Sequence, residues 1–423
     1  MPLHLDSDER AWLDGEAGPA LRLAMRLIVH AARNARAERL RPITRAHVDG
    51  CLYHGPVSVD FARTLAEAGA RVSVPTTLNV GAIDHLHPDL FRGAARVADG
   101  ARALRRHYAD MGCRQTWTCA PYQLPDRPAF GEQIAWAESN AIVFANSVLG
   151  ARTERYGDFI DLAAAITGRV PDAGLHRDEG RRARVLVEVR GISAAARRSD
   201  LFFAALGHLV GLAVGNAVPV IDGIDHATED DLKAVGAAAA SSGSVALFHI
   251  AGVTPEAPTV DAALGGRAPE RVVRIGPADL AGAYRALGGD TEAPIGAVSL
   301  GTPHFSLGEF RRLRAALAGR PVAASVRFYV STGRDVLAAV AAEGWADELR
   351  DAGITIVTDT CTYITPILEP RPGAVMTNSA KWAWYAPGNL GYQVVFASLE
   401  SCVESAVRGK VWHDPSMWEL AGA

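Results

Sequence analysis

A chain of 423 residues with 47 acids, 43 lysines and arginines and a formal net charge of -4 is longer than one hydrophobic core usually organises, so two or three lobes are expected. The even mixture of signs argues against nucleic acid or an anionic membrane as the partner. The opening stretch "MPLHLDSDERAWLDGEAG" is acidic and lacks an apolar core, so it reads neither as a secretory signal nor as a transit peptide, and a cytoplasmic protein is expected.

In chain order, "EAGPALRLAMRLIVHAARNARAERL" (16–40) carries apolar residues at helical spacing with arginines opposite, which predicts an amphipathic helix. Helix-like segments at 57–69 and 131–149 alternate with the strand-like runs "ARVSVPTTLNV", "ARVLVEVR", "AVPVIDG" and "SVALFHIAGV". The basic cluster in "HRDEGRRARVLVEVR" (176–190) contains acids of its own and reads as a solvated turn before a strand. The uncharged stretch "LFFAALGHLVGLAVGNAVPVI" (201–221) has nearly the length of a membrane span. Its His208, Asn216 and Pro219, with glycines at 207, 211 and 215, fit a closely packed core helix feeding a buried strand instead.

Toward the C-terminus, "PIGAVSLG", "SLGEFRRLRAALAG", "VAASVRFYVS", "TGRDVLAAVAAEGWADELRDAG" and "ITIVTDT" read as strand, helix, strand, helix, strand. Alternation of this kind predicts an α/β fold with mostly parallel sheets covered by helices on both faces. A lobe boundary is expected near 290, giving an N-terminal α/β body over 1–290 and a C-terminal lobe over 291–423. Chemistry in open parallel sheets gathers at the loops after the strands. Here those loops are "GTPHFS" (301–306), "STGR" (331–334) and "TCTYITP" (360–366).

Five cysteines (51, 113, 119, 361, 402) are an odd number in a chain with no export signal, so disulfides are not expected and each thiol is either a core side chain or a ligand. Several segments are rich in polar groups: "HVDGCLYHG" (47–55), "VPTTLNVGAID" (74–84), "MGCRQTWTCAPYQ" (111–123), "AESNAIVFANSVLGARTERYGD" (137–158), "FHIAGVTPEAPT" (248–259), "DTCTYITPI" (359–367) and "TNSAKWAWYAPG" (377–388). Each alone also has a structural reading, such as Ser139 and Asn140 capping a helix. No P-loop, nucleophile elbow, HExxH helix or GxGxxG fingerprint is present.

Taken together and in this order, the segments resemble the large subunit of the aconitase X family, whose members dehydrate small acids such as cis-3-hydroxy-L-proline or mevalonate 5-phosphate. The resemblance implies aconitase-like three-layer α/β/α lobes and a hydro-lyase acting on a small hydroxylated carboxylic acid. It further implies an iron or iron-sulfur centre held by three cysteines, of which two fall on Cys113 and Cys361. The third falls where this chain has Thr302, and Cys119 is left as a packed thiol. By the same resemblance His54, Ser139 and Lys381 are catalytic, Gly55, Thr76, Thr77, Asn79, Asn140 and His249 bind substrate, and Trp384 marks an altered pocket. A small swivelling domain, supplied as a separate subunit, is the expected partner. Because a hydroxyl is a weaker iron ligand than a thiolate, a metal-free relative performing isomerisation, elimination or ring chemistry, and a non-catalytic binding subunit, stay open as alternatives.

Overall fold

The computed structural model describes residues 2–289, 291 and 293–414. Backbone contacts divide the chain into two compact units: the segment up to Ile83 with Gly93–Arg182, and Asp84–Arg92 with the chain from Ala183 onward. The region near 290, expected as a boundary, lies inside the second unit.

The first unit contains β1 (Leu40–Pro42), β2 (Ala46–Val48), β3 (Thr76–Leu78), β4 (Ala135–Trp136) and β5 (Arg169–Pro171). Strands β1 and β5 form an antiparallel pair, while β3, β2 and β4 lie side by side in a parallel sheet. The expected opening helix spans Pro19–Asn34 and buries Ala24, Met25, Ile28 and Val29, residues that recur at three- and four-residue intervals. Ahead of it, Ser7–Asp14 forms a helix started by a capping box, in which Asp6 and Glu9 each accept the other's backbone N–H.

The second unit contains β6 (Val185–Val189), β7 (Pro219–Asp222), β8 (His249–Ile250), β9 (Arg271–Ile275), β10 (Ile295–Phe305), β11 (Arg327–Thr332), β12 (Ile354–Val357), β13 (Ala374–Thr377) and β14 (Val394–Phe396). They build a four-stranded parallel sheet, ordered β8-β7-β6-β9, and a five-stranded one, ordered β12-β11-β10-β13-β14. The fold is α/β with parallel sheets, and the expected strand-helix-strand-helix-strand run is present from β10 to β12.

Two departures from the expected elements have local causes. "GTPHFS" is not a free loop, because β10 continues to Phe305. Pairing with β11 jumps from Leu300–Val330 to Phe305–Thr332, so four residues, Gly301 to His304, face the single Ser331 and bulge out of the ladder. The helix expected over 332–353 is two, Arg334–Ala342 and Trp345–Asp351, broken where Gly344 takes a left-handed φ of 74°.

The apolar stretch at 201–221 folds as helix Asp200–Val214 followed by β7. No helix among the described residues is long and apolar enough to cross a membrane. Its glycine face is used against helix Glu229–Ser242. A Cβ on Gly207 would sit 2.3 Å from the Val235 carbonyl oxygen, and one on Gly211 would sit 2.6 Å from that of Ala239. Gly207→Val is therefore expected to lower unfolding free energy by about 1–3 kcal/mol in urea titrations. Gly282→Ala, where nothing lies within 4 Å, should be neutral or slightly stabilising.

Candidate functional site

The candidate residues form one group in each unit. In the first unit they stand at the carboxyl ends of the parallel strands. Asp49 follows β2, Asn79 follows β3 and Glu138 lies just past β4. The ladder continues one residue beyond the strands, since Asn79 N–H donates to the Val48 carbonyl at 2.9 Å and Ala137 N–H to that of His47 at 2.9 Å. Neighbouring polar side chains are thereby set side by side.

Asn79 donates its amide N–H to Asp49 Oδ1, while its own Oδ1 is buried and has no partner among the described residues. Asp161 Oδ2 accepts from the backbone N–H groups of Asp49 at 2.6 Å and Gly50 at 3.0 Å. Glu138 adopts a left-handed φ of 74° and caps helix Ser139–Phe144, accepting from Ala141 N–H at 2.8 Å and from the Ser139 hydroxyl at 3.0 Å. His54 reaches Asp158 at 3.4 Å, and that hydrogen bond, outweighing the opposing burial, raises its pKa.

Four carboxylates thus crowd one edge of the sheet. Burial, helped by the charges of Glu138 and Asp158, pushes Asp49 up to about 7 against the opposing pull of Asn79, and the Asp161 charge adds to the rise. Burial likewise raises Asp161 to about 6, although the N–H groups of Gly50 and Asp49 favour its anion. His47, buried behind them, falls to about 3 and stays neutral, donating or accepting at Thr77 Oγ1 over 2.8 Å.

The other expected residues of this unit have mostly structural partners. Thr76 spends its hydroxyl on the Val74 carbonyl at 2.8 Å, and Gly55, at φ 121°, starts helix Pro56–Glu67. Asn140 is fully buried and donates to the Cys119 carbonyl at 3.1 Å and Tyr122 Oη at 2.8 Å. Cys113 belongs to the apolar core with Leu104, Tyr108 and Met111, and burial, with the nearby Asp161 charge, drives its thiol pKa far up.

In the second unit, the bulge in β10 lies next to the β12 loop. His304 Nε2 donates to the Thr360 carbonyl at 3.2 Å, so whenever the ring is neutral its lone pair lies on Nδ1. A ring nitrogen of His304 and Cys361 Sγ lie within 4.8 Å of each other, both fully enclosed. Around them Ser299 Oγ and Thr362 Oγ1 share a hydrogen bond of 2.7 Å, Trp382 Nε1 donates to Thr362 at 3.0 Å, and Arg334 grips Asp359 through two bonds of 2.7 Å.

Thr302, 5% exposed, has an Oγ1 without a partner among the described residues, and it lines a cavity of about 650 Å³ with Ser379 and Lys381. The amino-terminal turns of five helices, beginning at Asp200, Glu229, Leu307, Ala380 and Leu399, line the same cavity. Lys233 in its wall lies 3.0 Å from Asp230 and also bonds Glu309; burial would lower its pKa, but the two charges outweigh it and the ammonium is held. Lys381 is 3% exposed with Nζ 5.9 Å from the Tyr363 ring centre. Neither His249, buried at the start of β8, nor Trp384 lines this cavity; Trp384 is 43% exposed and its ring tilts against that of His208.

The comparisons agree with this architecture. Models of the aconitase X first, second and third domains match residues 2–179, 183–285 and 295–408. The chain belongs to the aconitase X family. It is 48% identical to a cis-3-hydroxy-L-proline dehydratase of Pseudomonas aeruginosa over 96% of this chain and 70% of that protein. It is 33% identical to a phosphomevalonate dehydratase large subunit of Methanosarcina mazei over 96% and 98% of the two chains. The crystal structure of Thermococcus kodakaraensis aconitase X in its holo form is similar with a TM-score of 0.86 at 33% identity, covering 96% of this chain and 100% of that one.

Sequence reading gave no role to Asp49, Glu138 or His304, which the structure sets among the candidate residues. All three stood in the quoted segments, but only the strand order and burial single them out. The raised Asp49 carboxyl has a consequence for stability. Its folded pKa of about 7 exceeds the unfolded value of roughly 3.9, so the stability from its proton is full below the lower value and lost as pH rises through the higher one. Glu138, Asp158 and Asp161 oppose its ionisation, while Asn79 favours it. Asp49→Asn, neutral throughout, should gain thermal stability over the parent at pH 8 and little at pH 4, as read by calorimetry.

Proposed function

We propose that this chain is the large, catalytic body of a hydro-lyase that removes water from a small hydroxylated carboxylic acid, cis-3-hydroxy-L-proline or a close relative of it. The observation that carries this reading is the 48% identity, over 96% of the chain, to a protein named for that dehydration. The name of the Methanosarcina relative, a large subunit, supports work alongside a small subunit.

Dehydration of such an acid breaks a C–H bond beside the carboxylate, forms C=C from its electron pair and expels hydroxide, which leaves with a proton as water. Each unit, taken by itself, holds residues suited to one of these tasks. Lys381 and Ser379, at the amino-terminal end of helix Ala380–Leu390, offer an ammonium and a helix terminus for a carboxylate. Asp49, titrating near neutrality, can accept or return a proton without a large energetic penalty. Ser139, bonded to the buried Glu138, can orient a substrate hydroxyl.

An iron centre fits the second unit. The donors are an imidazole nitrogen and a thiol sulfur, ligand types that iron accepts, and the orphaned Thr302 Oγ1 stands two residues from His304. His304 and Cys361 would hold the metal, with Cys113 a core thiol. Iron, when bound, supplies a Lewis acid that makes hydroxide a better leaving group. The Thr360 carbonyl fixes the ring of His304 for that role.

The test is loss of one water from cis-3-hydroxy-L-proline, followed by mass spectrometry, using anaerobically reconstituted protein with its small subunit. Turnover is expected and should fall on chelation. Cys361→Ala and His304→Ala should each retain several-fold less iron. Cys113→Ala should keep its iron and lose about 1 kcal/mol of stability. Chelator-resistant turnover in iron-free protein would favour the metal-free reading instead.

A further inference from the structure

The segment Asp84–Arg92 belongs to the second unit, although the chain on either side of it belongs to the first. Within the second unit this arm meets residues 358–367, the loop that leaves β12 and carries Cys361. Asp84 is fully buried and both its oxygens are in use. Oδ1 accepts from the N–H groups of Leu86 and His87, each at 2.8 Å, and from the Thr358 hydroxyl at 2.9 Å. Oδ2 accepts from the Thr358 N–H at 2.9 Å and lies 3.0 Å from His87 Nδ1. One carboxylate thus shapes the arm's own turn and fastens the first residue of the loop.

The remaining anchors follow in order. His85 N–H donates to Asp359 Oδ2 at 3.0 Å, on the carboxylate that Arg334 grips. Leu90 packs against the apolar cluster that includes Val357, Ile367 and Leu368. Arg92 N–H donates to the Pro366 carbonyl at 2.8 Å and Arg92 Nε to that of Ile367 at 3.2 Å. The loop is therefore held at both ends. It needs holding, because Asp359 takes a left-handed φ of 62° two residues before Cys361, and a metal-binding sulfur has to sit within about 0.5 Å of its place. The turn at Cys361 itself, whose carbonyl accepts from Ile364 N–H at 3.2 Å and Thr365 N–H at 3.0 Å, closes the loop only locally.

We propose that the Asp84–Arg92 arm is the template on which the Cys361 loop is set, with Asp84 the positioning residue for the Cys361 sulfur. The consequence for iron rests on the reading of Cys361 as a ligand; the template itself does not. A carboxylate suits the task because the backbone N–H groups and the Thr358 hydroxyl around it all donate. Asp84→Asn can keep the three donors on one oxygen, but its NH2 then faces the Thr358 N–H, donor against donor, and the loop loosens at its first residue.

Native-state alkylation of the iron-free full chain by N-ethylmaleimide, followed peptide by peptide in a mass spectrometer, tests it. Cys361 and Cys402 are both buried in the second unit, so Cys402 reports opening of the whole unit and the ratio of the two rates reports the loop. Asp84→Asn should raise the Cys361 rate relative to Cys402 roughly 10- to 100-fold, the range for a lost charged hydrogen bond. Thr358→Val, which deletes only the hydroxyl bond, should raise it less, and Thr358→Ser, which keeps that bond, should stay close to the parent. These two variants decide the matter if Asp84→Asn does not fold. An unchanged ratio, or Cys361 and Cys402 rising together, overturns the proposal. After anaerobic reconstitution Asp84→Asn should hold several-fold less iron, with weaker sulfur-to-iron charge-transfer absorbance per iron bound. Selective opening at Cys361 with unchanged iron and absorbance would leave the template standing and sink Cys361 as a ligand. Iron lost in Cys361→Ala, with Cys361 equally protected in the parent and Asp84→Asn, would do the reverse.

Discussion

Parallel pairing is the constraint from which the rest follows. Parallel strands need a crossover between each pair, so their carboxyl ends all point the same way and the loops that leave them gather along one edge. In the first unit this brings Asp49, Asn79 and Glu138, separated by tens of residues in the chain, to three adjacent strand ends. In the second unit it sets the β10 bulge beside the loop after β12 in the same sheet, and places His304 against Thr360 and Cys361.

Burial then decides what these groups can do. A carboxylate at a solvated turn would titrate in its ordinary range, but four at one sheet edge, partly shielded from water, cannot all ionise cheaply. The backbone N–H groups that Asp161 collects, and the helix that Glu138 caps, absorb part of that cost. Asp49 has one amide partner, and burial, with the charges of Glu138 and Asp158 beside it, raises its pKa to about 7. The second unit handles buried charge differently. Lys233 sits between Asp230 and Glu309, and Arg312 between Asp200 and Glu400, so cations in the wall of the cavity are matched by acids on helix starts. Breaking such a matched set costs more than the set contributes, which favours a fixed geometry around the cavity.

The sequence was most legible where one periodic signal decides an element. The strand-helix run from β10 to β12 and the glycine face of helix Asp200–Val214 show this, because period and small side chains map directly onto packing. The family resemblance, carried by seven polar segments, pointed to the fold and reaction class. Legibility ended where tertiary structure assigns roles to similar residues. Nothing local distinguishes Cys113, deep among Leu104 and Met111, from Cys361, beside an imidazole. A bulge after Leu300 has no period to betray it, so His304 was read as loop. Trp384 was tied to a pocket through the family resemblance, whereas its position on the outer face of helix Ala380–Leu390 depends on what packs against that helix.

The claim at the centre of this account is that the strand ends of the first unit hold a carboxyl poised near neutrality. Carbon-13 NMR titration of the aspartate carboxyl groups, with Asp49→Asn for assignment, measures it directly. The account predicts one resonance with a midpoint near 7, absent from the variant. A parent in which every aspartate carboxyl, Asp49 included, titrates in the ordinary range of roughly 3 to 5 would contradict it.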